Sequence, residues 1–198
     1  MLSSDDQIIQ RVQQGDRAAY LALFDRYYAR VERYARWQLQ DTEAARDMAS
    51  ETFLRAYRHV GGYQVGRNNA YLPYLLQICR RLIFAERARV QSRPTYSLED
   101  NAGEIDTLTD ENDMPLLYLL EEERRTMIQN ALEGLSPDDR EIIHLAFERD
   151  LSRKDIAEVM GKPSVTAVTS HLYRALQKLK VIVVQQGYFV PPCRVERK

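Results

Sequence analysis

The chain has 198 residues, 44 % of them apolar and 29 % charged, with 2 Cys, a composition that fits one globular domain or two small ones. No apolar run approaches the ~20 residues of a membrane span, and Met1 to Gln14 lack the basic start and apolar block of a secretory leader, so the protein is expected in the cytoplasm with no membrane insertion. In that reducing compartment Cys79 and Cys193 are not expected to pair, and no CxxC or HxxxH spacing suggests a metal.

The net charge of -1 hides a strong asymmetry. Residues 1–95 carry 15 Arg against 10 acids, residues 96–123 carry 10 acids and no Lys or Arg, and residues 124–198 carry 13 basic and 9 acidic side chains. Two mildly basic blocks thus flank one acidic segment, a pattern that points toward a polyanionic partner.

Taken in order, the elements are all helical. Ser4 and Gln7 read as a capping box before Ile8, Ile9 and Val12, and Gly15 should stop that helix. Asp16 is expected to cap a longer helix with Tyr20, Phe24, Tyr27, Val31, Tyr34 and Ala35 at helical spacing. A third helix follows Asp41, with Ala45, Met48, Ala49, Thr52, Phe53 and Ala56 as its inner stripe and Gly61-Gly62 at its end. Residues 61–69, GGYQVGRNN, read as a loop. The fourth helix starts near Ala70, with Pro73 in its first turn. Its inner face is expected to hold Tyr71, Leu75, Ile78, Leu82 and Ala85, and its other face Arg80, Arg81, Arg87 and Arg89.

Residues 95–115 carry 7 acids and no Lys or Arg and offer few large apolar groups, which predicts a flexible linker. Beyond it, Leu117, Leu120, Ile128, Ala131, Leu132 and Leu135 form a new stripe. Ser136-Pro137-Asp138-Asp139 is a strong helix start, with acids facing the positive dipole end, followed by Ile142, Ile143, Ala146 and Phe147. Ser152 opens a short helix with Ile156, Ala157, Val159 and Met160, Gly161 makes a turn, and Ser164 caps a last helix with Val165, Val168, Leu172, Ala175, Leu176 and Leu179 inside. Val181, Ile182, Val183, Val184, Tyr188 and Phe189 follow as an apolar tail. It is expected either to dock on the last helix or to serve as a partner surface.

The fold class is therefore all-α, with two small helical domains, 1–94 and 116–184, joined by the acidic linker 95–115 and followed by a tail, 185–198. Residues 152–180 have the order of a helix-turn-helix. Their outer face presents Thr166, Thr169, Ser170, His171, Arg174 and Lys178, groups suited to phosphates and base edges in a major groove. A plain helical hairpin with a solvated polar face fits the same pattern. In the N-terminal block, Tyr63, Asn68, Asn69, Tyr71 and Tyr74 beside Arg80, Arg81 and Arg87 combine aromatic faces, amides and cations, which suits an unstacked single-stranded base, or a solvated surface. No catalytic signature stands out, and His59, His144 and His171 have no triad or metal spacing. The chain is expected not to be an enzyme, and to need no cofactor, metal or small-molecule substrate.

The order of these parts resembles the extracytoplasmic-function (ECF) group of bacterial RNA polymerase sigma factors. Gly15-Asp16, Phe24, Tyr27-Tyr28 and residues 47–57, DMASETFLRAY, look like the family's first conserved region. Residues 71–80, YLPYLLQICR, look like its promoter-melting helix. Residues 135–141, LSPDDRE, and 155–161, DIAEVMG, look like its C-terminal domain. The resemblance implies a factor that binds core RNA polymerase and directs promoter recognition, DNA melting and initiation, commonly under an anti-sigma factor. It would place Asp47, Glu51, Phe53 and Leu54 against the polymerase. Tyr63, Asn68, Asn69, Tyr71, Tyr74, Arg80, Arg81 and Arg87 would meet the melted −10 strand, and Thr166, Thr169, Ser170, His171, Arg174 and Lys178 the −35 duplex. The linker would enter the polymerase's RNA channel. Ala44 and Arg46 stand where acids are common in the family, Tyr74 where tryptophan is, Arg81 where asparagine is, and Ala85 where an acid is. A dimeric helix-turn-helix repressor or activator is the other reading. It accounts for the C-terminal half but not for residues 47–54 or the linker.

Overall fold

The computed structural model describes residues 4–66, 71–91, 126–148 and 151–186. Among them the helices are α1 (Ser4–Gln13), α2 (Tyr20–Leu39), α3 (Thr42–Arg58), α4 (Tyr71–Gln91), α5 (126–133), α6 (Pro137–Phe147), α7 (Arg153–Met160) and α8 (Val165–Gln185). The chain divides into two compact units; α1 to α4 belong to the first, and α5, α6, α8 and the start of α7 to the second.

Side-chain caps set the helix starts. Asp16 accepts from the Ala19 amide and opens a 3₁₀ turn, Arg17–Ala19, that runs into α2. Asp41 caps α3 through the Ala44 amide, Ser136 caps α6 through the Asp139 amide, and Ser164 caps α8 through the Ala167 amide. Each satisfies an amide that the first helical turn leaves without a carbonyl. Ser152 and Asp155 cap α7 reciprocally, the Ser152 amide donating to Asp155 at 2.8 Å and the Asp155 amide to Ser152 Oγ at 3.2 Å. Ser4 differs from its expected role as a cap. It lies inside α1, and its hydroxyl accepts from Arg26 at 2.8 Å.

Two helix ends share one device. After α1, the Asp16 amide reaches Arg11 O and the Gly15 amide Val12 O, with Gly15 at φ 104°. After α7, the Lys162 amide reaches Ala157 O and the Gly161 amide Glu158 O, with Gly161 at φ 64°. Both are six-to-one closures that need a left-handed residue, which glycine adopts without a Cβ penalty.

In the first unit α2, α3 and α4 pack on one another, with α1 against α2. The inner face of α3 is small: Ala45, Ala49, Thr52 and Ala56 are all fully buried, so the neighbouring helices can approach closely. Leu23, Val31 and Ala35 of α2 and Leu75, Leu76, Cys79 and Ile83 of α4 fill the space around it. Burial pushes the Cys79 thiol up to about 12, which makes it an inert core group. The buried face of α4 is rotated from the expected one. It takes in Leu72, Leu76 and Ile83, while Ala85 is exposed.

In the second unit α6 packs on α8 around Leu135, Ile142, Leu145, Val168, Leu172 and Ala175. Three expected core residues lie outside: Phe147, at the last turn of α6, is 76 % exposed, and Ile128 and Val165 are each 45 % exposed. Leu145 takes the inner position instead. The expected tail begins as helix, since α8 continues to Gln185. There Ile182 lies so close to Gly134 that a Cβ on Gly134 would sit 3.2 Å from its Cδ1, whereas Val181 and Val184 face out. Tyr188 and Phe189, Leu117 and Leu120, and the linker lie outside the described residues.

Gln40 ends α2 in the left-handed region at φ 56°, a conformation that costs a residue with a side chain. Gln40→Gly is expected to stabilise the first unit by about 0.5–1 kcal/mol, read as a higher urea midpoint with an unchanged slope.

Candidate nucleic-acid interface

The polar face of α8 is where the sequence pattern put it. Val168, Leu172 and Ala175 are buried, and Thr166, Thr169, Ser170 and Arg174 are exposed within the first three turns after the Ser164 cap. Thr169 Oγ1 donates to Val165 O at 3.0 Å and Arg174 Nε to Ser170 O at 3.3 Å, both at the surface. Two other expected members behave differently. His171 Nε2 donates to Asp139 Oδ1 at 2.9 Å, and Lys178 Nζ donates to Asp139 Oδ2 at 2.6 Å. The His171 side chain is only 14 % exposed. Both side chains thus reach toward α6, His171 largely covered and Lys178 with 59 % of its side chain still exposed.

Asp139 had been read only as an acid at a helix start. It is 3 % exposed and also accepts from Ser136 Oγ at 2.8 Å. Burial pushes its carboxyl up, but the bonds from Lys178, Ser136 and His171 outweigh burial and hold it below its ordinary value of 3.8.

The second cluster surrounds the start of α4. Tyr71 is fully buried. The Tyr20 hydroxyl donates to Phe53 O at 3.0 Å, so its single proton is spent and it accepts from the Tyr71 hydroxyl at 3.4 Å. The Tyr71 ring also lies against Tyr27, Tyr63 and Tyr74. Burial pushes the phenols of Tyr20 and Tyr63 up to about 12 and that of Tyr71 higher still, so all three stay neutral. Tyr71 is therefore a core residue, not a contact to melted DNA: its hydroxyl finds a protein partner, which removes the cost of burying it. The half-buried rings of Tyr63 and Tyr74 meet edge-to-face at 5.1 Å and form the accessible rim.

The loop that carries Tyr63 is tied down from α1. Gln13 Nε2 donates to Val60 O at 2.8 Å and to Tyr63 O at 2.9 Å, and Asp6 accepts from the Gly66 amide at 3.3 Å. Asp5, which is buried, receives Arg26 and the Tyr27 hydroxyl. None of these had a periodic signature in the sequence. Asn68 and Asn69 lie outside the described residues.

Along α4, Arg81 is exposed. Arg80 lies 4.5 Å over the Phe84 ring, with Arg87 at 6.0 Å on the same ring. Arg87 also donates to the Gln38 backbone and side-chain oxygens, which fixes it to the end of α2. The arginines thus frame an exposed aromatic, Phe84, that sequence reasoning passed over.

On α3, Asp47 and Leu54 are exposed and lie two turns apart on one face, with Glu51 between them paired to Arg55 at 2.6 Å. Phe53 corrects its expected role. It is 3 % exposed and sits among the rings of Tyr20, Phe24 and Tyr28, because it falls on the alanine side of the helix. It shapes the face beside it and does not form part of it.

Among the described residues, no group of His, Cys, Asp and Glu could hold a metal ion, and no helix is long and apolar enough to cross a membrane. What remains is a helical protein with an exposed polar face on α8 and an aromatic and arginine rim on α4. Comparison with known proteins agrees with that architecture. Sigma-70 region 2 matches residues 23–93, and sigma-70 region 4 matches residues 125–179. The ECF RNA polymerase sigma factor BldN of Streptomyces coelicolor is 32 % identical over 174 residues, covering 87 % of this chain; the chain spans 63 % of that relative's length. The RNA polymerase sigma-H factor of Pseudomonas aeruginosa is 26 % identical over 88 % of this chain and 91 % of its own. The solved sigma factor RpoE of Bartonella quintana, in complex with the anti-sigma factor NepR, shares the fold at TM-score 0.62 and 17 % identity, over 83 % of this chain and 96 % of its own. The chain belongs to the ECF group of the RNA polymerase sigma factors. These are initiation factors and not enzymes, and the two regions matched in order favour this reading over a dimeric repressor.

Phe53→Ala is expected to destabilise the first unit by about 3–5 kcal/mol, whereas Leu54→Ala, at an exposed position, should change it by less than about 1 kcal/mol. Urea unfolding followed by the fluorescence of Trp37, the chain's one tryptophan, measures both. Asp139 supplies a second test. Because its folded pKa lies below the ordinary 3.8, the stability it contributes is complete above that value and is lost as pH falls through the folded one. The advantage of wild type over Asp139→Asn in hydrogen-exchange protection of α6 and α8 should therefore be present at pH 7 and vanish in strong acid.

Proposed function

We propose that this sigma factor divides promoter recognition between its units, residues 1–94 serving core polymerase and the −10 element and residues 116–184 the −35 element. The observation that carries the reading is the α8 face, where Thr166, Thr169, Ser170 and Arg174 stand exposed over a buried row of Val168, Leu172 and Ala175. Hydroxyls and a guanidinium on the first turns of a rigid helix suit base edges and phosphates in a major groove.

In the N-terminal unit, the stripe of exposed Asp47 and Leu54, with half-buried Glu51 between them, is the surface for the polymerase. Tyr63 and Tyr74, with Asn68, Asn69 and the arginines at 80, 81 and 87, take the melted strand. Rings offer stacking without sequence demand, and arginines neutralise phosphates. The acidic linker, 95–115, enters the channel that later holds RNA, where a polyanion is favoured. The factor contributes binding free energy alone: it favours melted over duplex promoter because it binds the melted form better. It works in the bacterial cytoplasm, and an anti-sigma factor that covers its DNA-binding surfaces is the partner that controls it.

Capture of bacterial core RNA polymerase by the purified chain tests the first half. Wild type should retain the enzyme and Asp47→Ala/Leu54→Ala should lose it; equal capture by both would move the polymerase surface elsewhere. For the second half, Arg174→Ala and Thr169→Ala should each weaken −35 recognition by about 1–3 kcal/mol per lost base contact while polymerase capture stays intact. Loss of both activities together would contradict the division.

A further inference from the structure

His171 and Lys178 lie on the helix assigned to the −35 duplex, yet both end on one buried carboxylate of another helix. From this geometry we infer that Asp139 is a positioning residue for promoter recognition, and that His171 and Lys178 are its anchors on α8 and not contacts to bases or phosphates. The inference rests on the reading of α8 as the recognition helix.

Asp139 sits in the first turn of α6, where the helix dipole favours an anion. Its Oδ1 receives His171 Nε2 at 2.9 Å, and its Oδ2 receives Lys178 Nζ at 2.6 Å and Ser136 Oγ at 2.8 Å. The Ser136 bond orients the carboxylate, so the acid is aimed before α8 meets it. The anchors are seven residues apart, roughly 10 Å along the helix axis at 1.5 Å per residue. One point of attachment would let α8 swivel; two, separated by two turns, fix both its rotation and its slide against α6.

The apolar seam cannot do this alone. Val168, Leu172 and Ala175 form the seam along α8, and apolar contact, being non-directional, tolerates a small shift with repacking. A buried carboxylate does not, since a slip of α8 would take away His171 and Lys178 and leave it with Ser136 alone. Arg174 lies between the two anchors, and Thr169 and Ser170 lie just before the first. Their placement in a groove is set by what holds His171 and Lys178. The imidazole is also poorly available to DNA, being 14 % exposed with Nδ1 buried and without a partner among the described residues.

The test uses holoenzyme reconstituted from core polymerase and the full chain. Wild-type holoenzyme first selects a −35 duplex from a random-sequence pool, and that duplex and a scrambled one are the probes. Asp139→Asn should lower the ratio of the two affinities at least tenfold with polymerase capture unchanged. A simple loss of folded protein would weaken both probes alike and leave the ratio where it was. Lys178→Met, at a side chain 59 % exposed, gives a second reading that does not depend on the Asp139 variant folding. Its ratio should also fall, while the slope of log affinity against log salt stays at the wild-type value, because the ammonium is already spent on Asp139. An unchanged ratio in Asp139→Asn overturns the inference. So does a slope reduced by about 0.9 in Lys178→Met, which is the signature of a lost phosphate contact. If wild type selects no duplex, the recognition-helix reading itself fails, and the inference with it.

Discussion

Burial of one face of α3 between α2 and α4 constrains the rest of the N-terminal unit. Ala45, Ala49, Thr52, Phe53 and Ala56 occupy that face, and a helix that commits those positions inward must turn Asp47 and Leu54 outward. The outward stripe of α3 is thus the geometric complement of the core. Small residues make the burial possible without pushing the helices apart, and the ring of Phe53 closes one end against Tyr20, Phe24 and Tyr28. The same burial reaches the start of α4, since the carbonyl of Phe53 takes the Tyr20 hydroxyl, which in turn takes that of Tyr71. The aromatic rim at the start of α4 therefore rides on a polar chain inside the core, and the loop beside it is held by Gln13 and Asp6 from α1.

The C-terminal unit solves a related problem differently. Its last helix, α8, is long, and only part of it is pinned by apolar packing. A carboxylate at the start of α6 supplies two polar attachments, each to a residue that looks like a DNA contact when α8 is viewed alone. A charged side chain on such a helix has two possible employments, toward the groove or toward the scaffold, and the acid across from it decides which.

Much of this was legible in the sequence because it is local. Caps at Asp16, Asp41, Ser136, Ser152 and Ser164 act over three or four residues, the glycine closures act over six, and helical periodicity identifies the alanine face of α3. The failures have a common cause in distance along the chain. His171 and Lys178 meet an acid 32 and 39 residues away, and no pattern within α8 reveals it. Tyr71 is expected both on the inner face of its helix and, for its aromatic ring beside amides and arginines, at a bound base; Tyr20, 51 residues earlier, takes its hydroxyl inside. Phe53 was assigned both to a core stripe and to a binding surface, and a side chain on one helix cannot serve both. Ala85 and Phe147 fell on the wrong side because periodicity gives the width of an apolar face more surely than its centre. The αL ending at Gln40 had no signal, since neither glycine nor asparagine marks it.

Transcription tests the account most directly. Core RNA polymerase would be supplied with a pool of random-sequence duplexes, with and without the chain, and the 5′ ends of the transcripts mapped. The account predicts starts that appear only with the chain, all downstream of the same two separated sequence blocks at fixed spacing, one for each unit. Starts identical to those of core enzyme alone, or a single palindromic block, would contradict it.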